Sequence, residues 1–133
     1  DINHYNHNFT SIDGVPYGPD YSVIFPFEAV EPKDIGGNGV AFYRGNQVEA
    51  VEKLGDRALW VQVHAGKGPV DYHAGTVRCD KTRAAVHFKG DTPIINYNFW
   101  SVEAAACPEP FIGIHLAPGE VQEWTSEYVF TVE

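Results

Sequence analysis

Short runs that alternate apolar with polar residues, broken every few positions by Gly, Pro, Asn or Asp, extend along the whole of this chain. Alternation with period two sends successive side chains to opposite faces, so each run predicts a strand with one buried face and one polar or ligand-facing face. Ser22 to Phe27 is such a run, and Ala58 to His64 sets Leu59, Val61 and Val63 against Trp60, Gln62 and His64. Ala84 to Lys89 repeats the theme. Ile94 to Val102 divides into Asn96, Asn98 and Trp100 on one face and Ile95, Tyr97 and Phe99 on the other. Gln47 to Leu54 contains helix formers, but it is short and bounded by Gly45-Asn46 and Gly55-Asp56, so it is read as β. Gly36-Gly37-Asn38-Gly39 reads as a flexible turn, and Ser11-Ile12-Asp13-Gly14 as an Asp-Gly turn suited to a hairpin. The expected fold is therefore all-β, an antiparallel β-sandwich, with a cupin-type jelly roll as the alternative.

Two stretches stand out for chemistry. In the C-terminal one, Glu109 lies between Pro108 and Pro110, whose fixed φ makes a helix there impossible. The expectation is a strand from Phe111 to Leu116 with Glu109 at its mouth, a turn over Ala117-Pro118-Gly119-Glu120, and a last strand from Trp124 to Val132. A glutamate beside proline is commonly just a solvated loop carboxylate. In the N-terminal stretch, an extended backbone puts His4, Asn6 and Asn8 on one side and Tyr5, His7 and Phe9 on the other. The two histidines thus point apart, which weakens a two-His metal site, and a histidine among aromatics is often a satisfied shelf residue. Asn8-Phe9-Thr10 also matches the glycosylation acceptor pattern, a match too short to carry weight.

Composition narrows the partners. With 133 residues, 44% hydrophobic and 14% aromatic, the chain can build one real core, and a single domain over residues 1–133 is expected. A formal net charge of −9, with only nine scattered Lys and Arg, argues against nucleic acid. No apolar run approaches the ~20 residues of a membrane span, so no membrane partner is expected. The first residue is not Met, which suggests processing or a piece of something longer. Cys79 and Cys107 do not make a disulfide framework and read as buried free thiols, with a single bridge between them as the alternative, and the cytoplasm is the slightly favoured compartment.

YNHNFTSIDGVPYGPDYSVIFPF, followed far downstream by NFWSVEAAACPEPFIGIHLAPGEVQEWTSEYVF, resembles the C-terminal half of galactose mutarotase-like (aldose 1-epimerase) proteins. The resemblance is strong at both ends of the chain and weak from Gly36 to Phe88. It implies half of a mutarotase-like supersandwich, or a compact relative, and a catalytic pair: His7 as proton donor and Glu109 in CPEPF as general base. The pair would interconvert sugar anomers, facing one concave pocket with the sugar's ring oxygen and anomeric hydroxyl between them. The Pro118, Gly119, Glu120, Trp124, Tyr128 and Phe130 tail resembles the family's closing strands. By residue type, Trp60, Trp100 and Trp124 are candidates for sugar stacking and Asn96 and Asn98 for hydroxyl recognition, although for any single Trp core packing is the commoner role. No metal or other cofactor is needed. Family members are about twice as long, and their first half has no counterpart here, so a homo-oligomer or a fragment of a longer chain is expected. Two other functions compete: a non-catalytic carbohydrate-binding or interaction module, and a cupin-like metal protein with His4, His64, His73 and His87 as conceivable ligands.

Overall fold

The computed structural model describes residues 2–28, 33–36, 38–64 and 73–133. Eleven strands are found among them, and no helix. In chain order these are β1 (Ile2–Tyr5), β2 (Tyr21–Ile24), β3 (Lys33–Ile35), β4 (Ala41–Arg44), β5 (Gln47–Ala50) and β6 (Leu59–His64), then β7 (Ala74–Cys79), β8 (Ala84–Gly90), β9 (Asn96–Val102), β10 (Ala105–Ile114) and β11 (Ser126–Val132). They form two antiparallel sheets, one of four strands in the order β1-β10-β9-β6 and one of seven in the order β11-β8-β7-β2-β5-β4-β3. The sheets face each other as a sandwich, as the alternating runs predict.

The inner faces supply the core. Leu59 and Val61 of β6 and Tyr97 and Phe99 of β9 meet Val23, Val48 and Val77 of the larger sheet, all at most 3% exposed. Each such aliphatic side chain contributes about 1.5–3 kcal/mol on leaving water. The two sheets differ in width, and the larger one overhangs. On β11, Tyr128, Phe130 and Val132 pair with Phe88, Val86 and Ala84, so they share the core-facing side of the sheet. Phe130 and Val132 nevertheless remain 73% and 79% exposed.

Three expectations change on contact with the structure. The strand expected from Phe111 begins six residues earlier, at Ala105, and takes both prolines and Glu109 into the middle of the small sheet. Proline is rare in an interior strand because it lacks the N–H for the ladder. Here Ala106 exchanges both backbone hydrogen bonds with Thr10, so even-numbered residues of β10 turn their polar groups toward the N-terminal segment. Pro108 and Pro110 are even-numbered, and the ladder to β9 is carried by the odd positions. The Asp-Gly turn forms, with positive φ at Asp13 and Gly14 and a Val15 N–H to Ile12 carbonyl bond of 3.0 Å, but it joins no hairpin. The Tyr21 hydroxyl pins it instead, accepting from Ile12 N–H and donating to the Val15 carbonyl. Finally, β6 carries an irregularity between Gln62 and His64, which pairs His64 with Tyr97. His64 therefore leaves the face of Trp60 and stacks on Phe27. The expected Gly36–Gly39 turn falls partly outside the described residues at position 37.

Candidate functional site

The outer face of the four-stranded sheet is built by register. Antiparallel partners share a face, and Gln62, Asn98 and Glu109 pair in turn across β6, β9 and β10. Continuing the register that pairs Tyr5 with Phe111 and Thr10 with Ala106 sets His7 across from Glu109. A polar row Gln62, Asn98, Glu109, His7 thus crosses the sheet. Beside it run Trp60, Trp100 and Cys107 on one flank and Asn96, Phe111 and Tyr5 on the other. Of the seven residues singled out from the sequence for a sugar site, six, His7, Glu109, Asn96, Asn98, Trp100 and Trp60, lie on this one face.

The segment carrying His7 is held from its other side. Asn8 Nδ2 donates to the Pro108 carbonyl at 2.9 Å, and Asn8 Oδ1 accepts from the Tyr128 hydroxyl at 2.6 Å. Asn6 Nδ2 donates to Ser126 Oγ at 3.1 Å. These bonds join both sheets through residues 6 and 8, so residues 5, 7 and 9 are left to the open side, as the alternation predicts. Buried and with both amide atoms engaged, Asn8 is not placed to accept a glycan.

His7 Nδ1 and Glu109 Oε1 are in direct hydrogen-bonding contact. The His7 side chain is 43% exposed and that of Glu109 only 9%. Burial raises the Glu109 pKa above the ordinary carboxylate range, and the imidazole, as hydrogen-bond partner and charge, pulls it back. Burial, with the Glu109 charge adding to it, pushes the neighbouring Cys107 thiol up to about 12, so it stays protonated and inert. Three rings surround the imidazole, with centroids at 5.5 Å for Trp100, 5.8 Å for Phe9 and 6.3 Å for Tyr5. His7 also borders a groove of about 380 Å³ lined on its far side by Val86, Tyr128 and Phe130. The pair was expected to stand apart around a sugar; instead the two side chains touch, because the register makes them nearest cross-strand neighbours.

Asn98 Oδ1 is buried beside this pair and has no hydrogen-bond partner among the described residues. Trp60, 56% exposed, is the cross-strand partner of Trp100. Trp124 sits elsewhere, against His4 at 5.2 Å between ring centroids. Gln62, Tyr5 and Phe9 join the site without having been proposed for it; each shares strand parity with a residue that was, Gln62 with Trp60, and Tyr5 and Phe9 with His7.

The four histidines considered as metal ligands occupy separate settings. His4 packs on Trp124, and His64 stacks on Phe27. His73 meets the Thr92 carbonyl through Nδ1, and His87 meets Thr76 and Thr131 through its two nitrogens. Among the described residues no group of three or more His, Cys, Asp or Glu is arranged to hold a metal ion. No protein-family model, curated protein or solved structure matches the chain.

Proposed function

We propose that this face is a carbohydrate site and that the His7–Glu109 pair interconverts sugar anomers by general acid/base proton transfer, as the mutarotase-like resemblance implies. The observation that carries the reading is the convergence of an exposed imidazole, a buried carboxylate bonded to it, and exposed Trp60 with half-buried Trp100, Asn96 and Asn98 on one sheet face. Indole faces suit the apolar face of a sugar ring, and side-chain amides suit its hydroxyls. Ring opening moves one hydrogen from the anomeric hydroxyl to the ring oxygen while the bond from C1 to that oxygen breaks. Positioned proton-transfer groups supply on the order of 10²–10⁴-fold each in such a step. The exposed apolar row on β11 supports the companion proposal that a further strand or chain packs there.

Polarimetry on freshly dissolved aldoses tests the reaction: equilibration faster than in buffer is expected, and His7→Gln removes the acceleration. A second reading, a non-catalytic sugar-binding module, is favoured by the direct contact, which ties the carboxylate to the imidazole instead of leaving the two apart around a sugar. Sugar-dependent shifts of the Trp60 and Trp100 side-chain signals without any acceleration would select it.

A further inference from the structure

We infer that Glu109 never touches the substrate: it is a positioning residue, and His7 Nε2 is the single proton-transfer atom of the site. The inference rests on the sugar reading above and changes how the pair performs it. Glu109 is nearly covered while His7 is almost half open, so a ligand on this face meets the imidazole first. The contact uses Nδ1. Because the two nitrogens lie on opposite flanks of the ring, Nε2 faces away from Glu109, and it has no hydrogen-bond partner among the described residues. An ionised carboxylate only accepts hydrogen bonds, so it holds the proton on Nδ1 and leaves a lone pair on Nε2. For a sugar hydroxyl to reach Glu109 Oε1, it would first have to displace His7.

One nitrogen suffices for the reaction. Nε2 takes the hydrogen of the anomeric hydroxyl, giving an imidazolium whose charge faces Glu109 on one side and the Trp100 and Phe9 rings, within 6 Å, on others. The imidazolium then returns that hydrogen to the ring oxygen as the C1–oxygen ring bond breaks and the C1 carbonyl forms. Both oxygens are attached to C1, so a single group reaches each in turn. After rotation about C1–C2 the steps run backwards and close the ring on its other face. His7 ends neutral, Glu109 stays ionised throughout, and no other reactant is consumed.

The test combines ¹⁵N NMR of the His7 ring with the polarimetric rate. The Nδ1-protonated tautomer should dominate in the unaltered protein, and Glu109→Gln should abolish that preference, because an amide can also donate to Nδ1. In the same variant the rate should fall on the order of 10²-fold yet stay measurable, whereas His7→Gln loses all of it. A dominant Nε2-protonated tautomer overturns the inference, as does a Glu109→Gln rate of zero beside a residual rate in His7→Gln. If the unaltered protein does not accelerate mutarotation at all, the sugar reading falls, and the tautomer measurement still decides the role of Glu109.

Discussion

Removing the Asn8 side chain should loosen the site from behind. Asn8 is 8% exposed and joins the Pro108 carbonyl of one sheet to the Tyr128 hydroxyl of the other. The Pro108 carbonyl points to the N-terminal segment, away from β9, so Asn8→Ala leaves it buried with no donor. A buried group left unpaired costs about 1–3 kcal/mol. The Tyr128 hydroxyl is on a half-exposed residue and regains water, so it adds little. The expected loss is about 2 kcal/mol in unfolding free energy by urea titration, with an unchanged slope. Asn8→Asp should cost at least as much at neutral pH, since it sets a carboxylate oxygen against the carbonyl. A double-mutant cycle with Tyr128→Phe isolates the second bond, for which a coupling of about 0.5 kcal/mol, the low end for a hydrogen bond, is expected. An Asn8→Ala protein within about 0.5 kcal/mol of the original, the range of ordinary surface changes, refutes the clamp.

Three further outcomes are expected. Gly75→Ala should destabilise by about 2–4 kcal/mol in the same titration, because a Cβ there would lie 2.4 Å from Phe88 Cζ and 2.7 Å from the hydroxyl of fully buried Tyr97, neither free to yield. Burial lowers the His73 pKa below its unfolded value, so its contribution to stability is present above about pH 6.5 and is lost as pH falls through the folded value; His73→Phe should flatten the stability decline measured between about pH 7.5 and pH 5. The open β11 edge, with Phe130 and Val132 uncovered, should associate at micromolar concentrations in sedimentation, and Phe130→Lys should reverse this; a sharp monomer in both proteins counts against an interface there.

Much of the fold was legible because a two-residue period is a local property. The alternation in Ala58–His64 and Ile94–Val102 names the outward residues Trp60, Gln62, Asn98 and Trp100 without any knowledge of neighbours. The Pro118-Gly119 turn is equally local: Gly119 has φ 86° and Glu120 N–H bonds to the Ala117 carbonyl. What stayed hidden depends on partners distant in sequence. The irregularity that turns His64 inward exists only against β9. β7 was not expected at all, since Ala74-Gly75-Thr76 looks like loop until Phe88 and Tyr97 crowd against Gly75. The direct His7–Glu109 contact likewise follows from a register spanning about a hundred positions, which no local pattern encodes.

The prolines beside Glu109 stiffen an extended backbone, as their fixed φ predicts, but they do so inside β10 rather than at its mouth. Sitting on alternate residues, they remove N–H groups from one side of β10 only, the side that Asn6 and Asn8 serve through donors of their own. A slip of β10 by one residue would turn both missing donors toward β9 and cost two ladder bonds, each net about 0.5–1.5 kcal/mol, while leaving the β9 acceptors unpaired at further cost. The same slip would carry Glu109 to the core side, where an unpaired carboxylate is strongly disfavoured. Both penalties favour the one register that presents Glu109 outward beneath His7. The Pro-Glu-Pro triplet therefore acts as a register lock, and the geometry of the candidate site is a consequence of backbone hydrogen bonding before any side chain in it is considered.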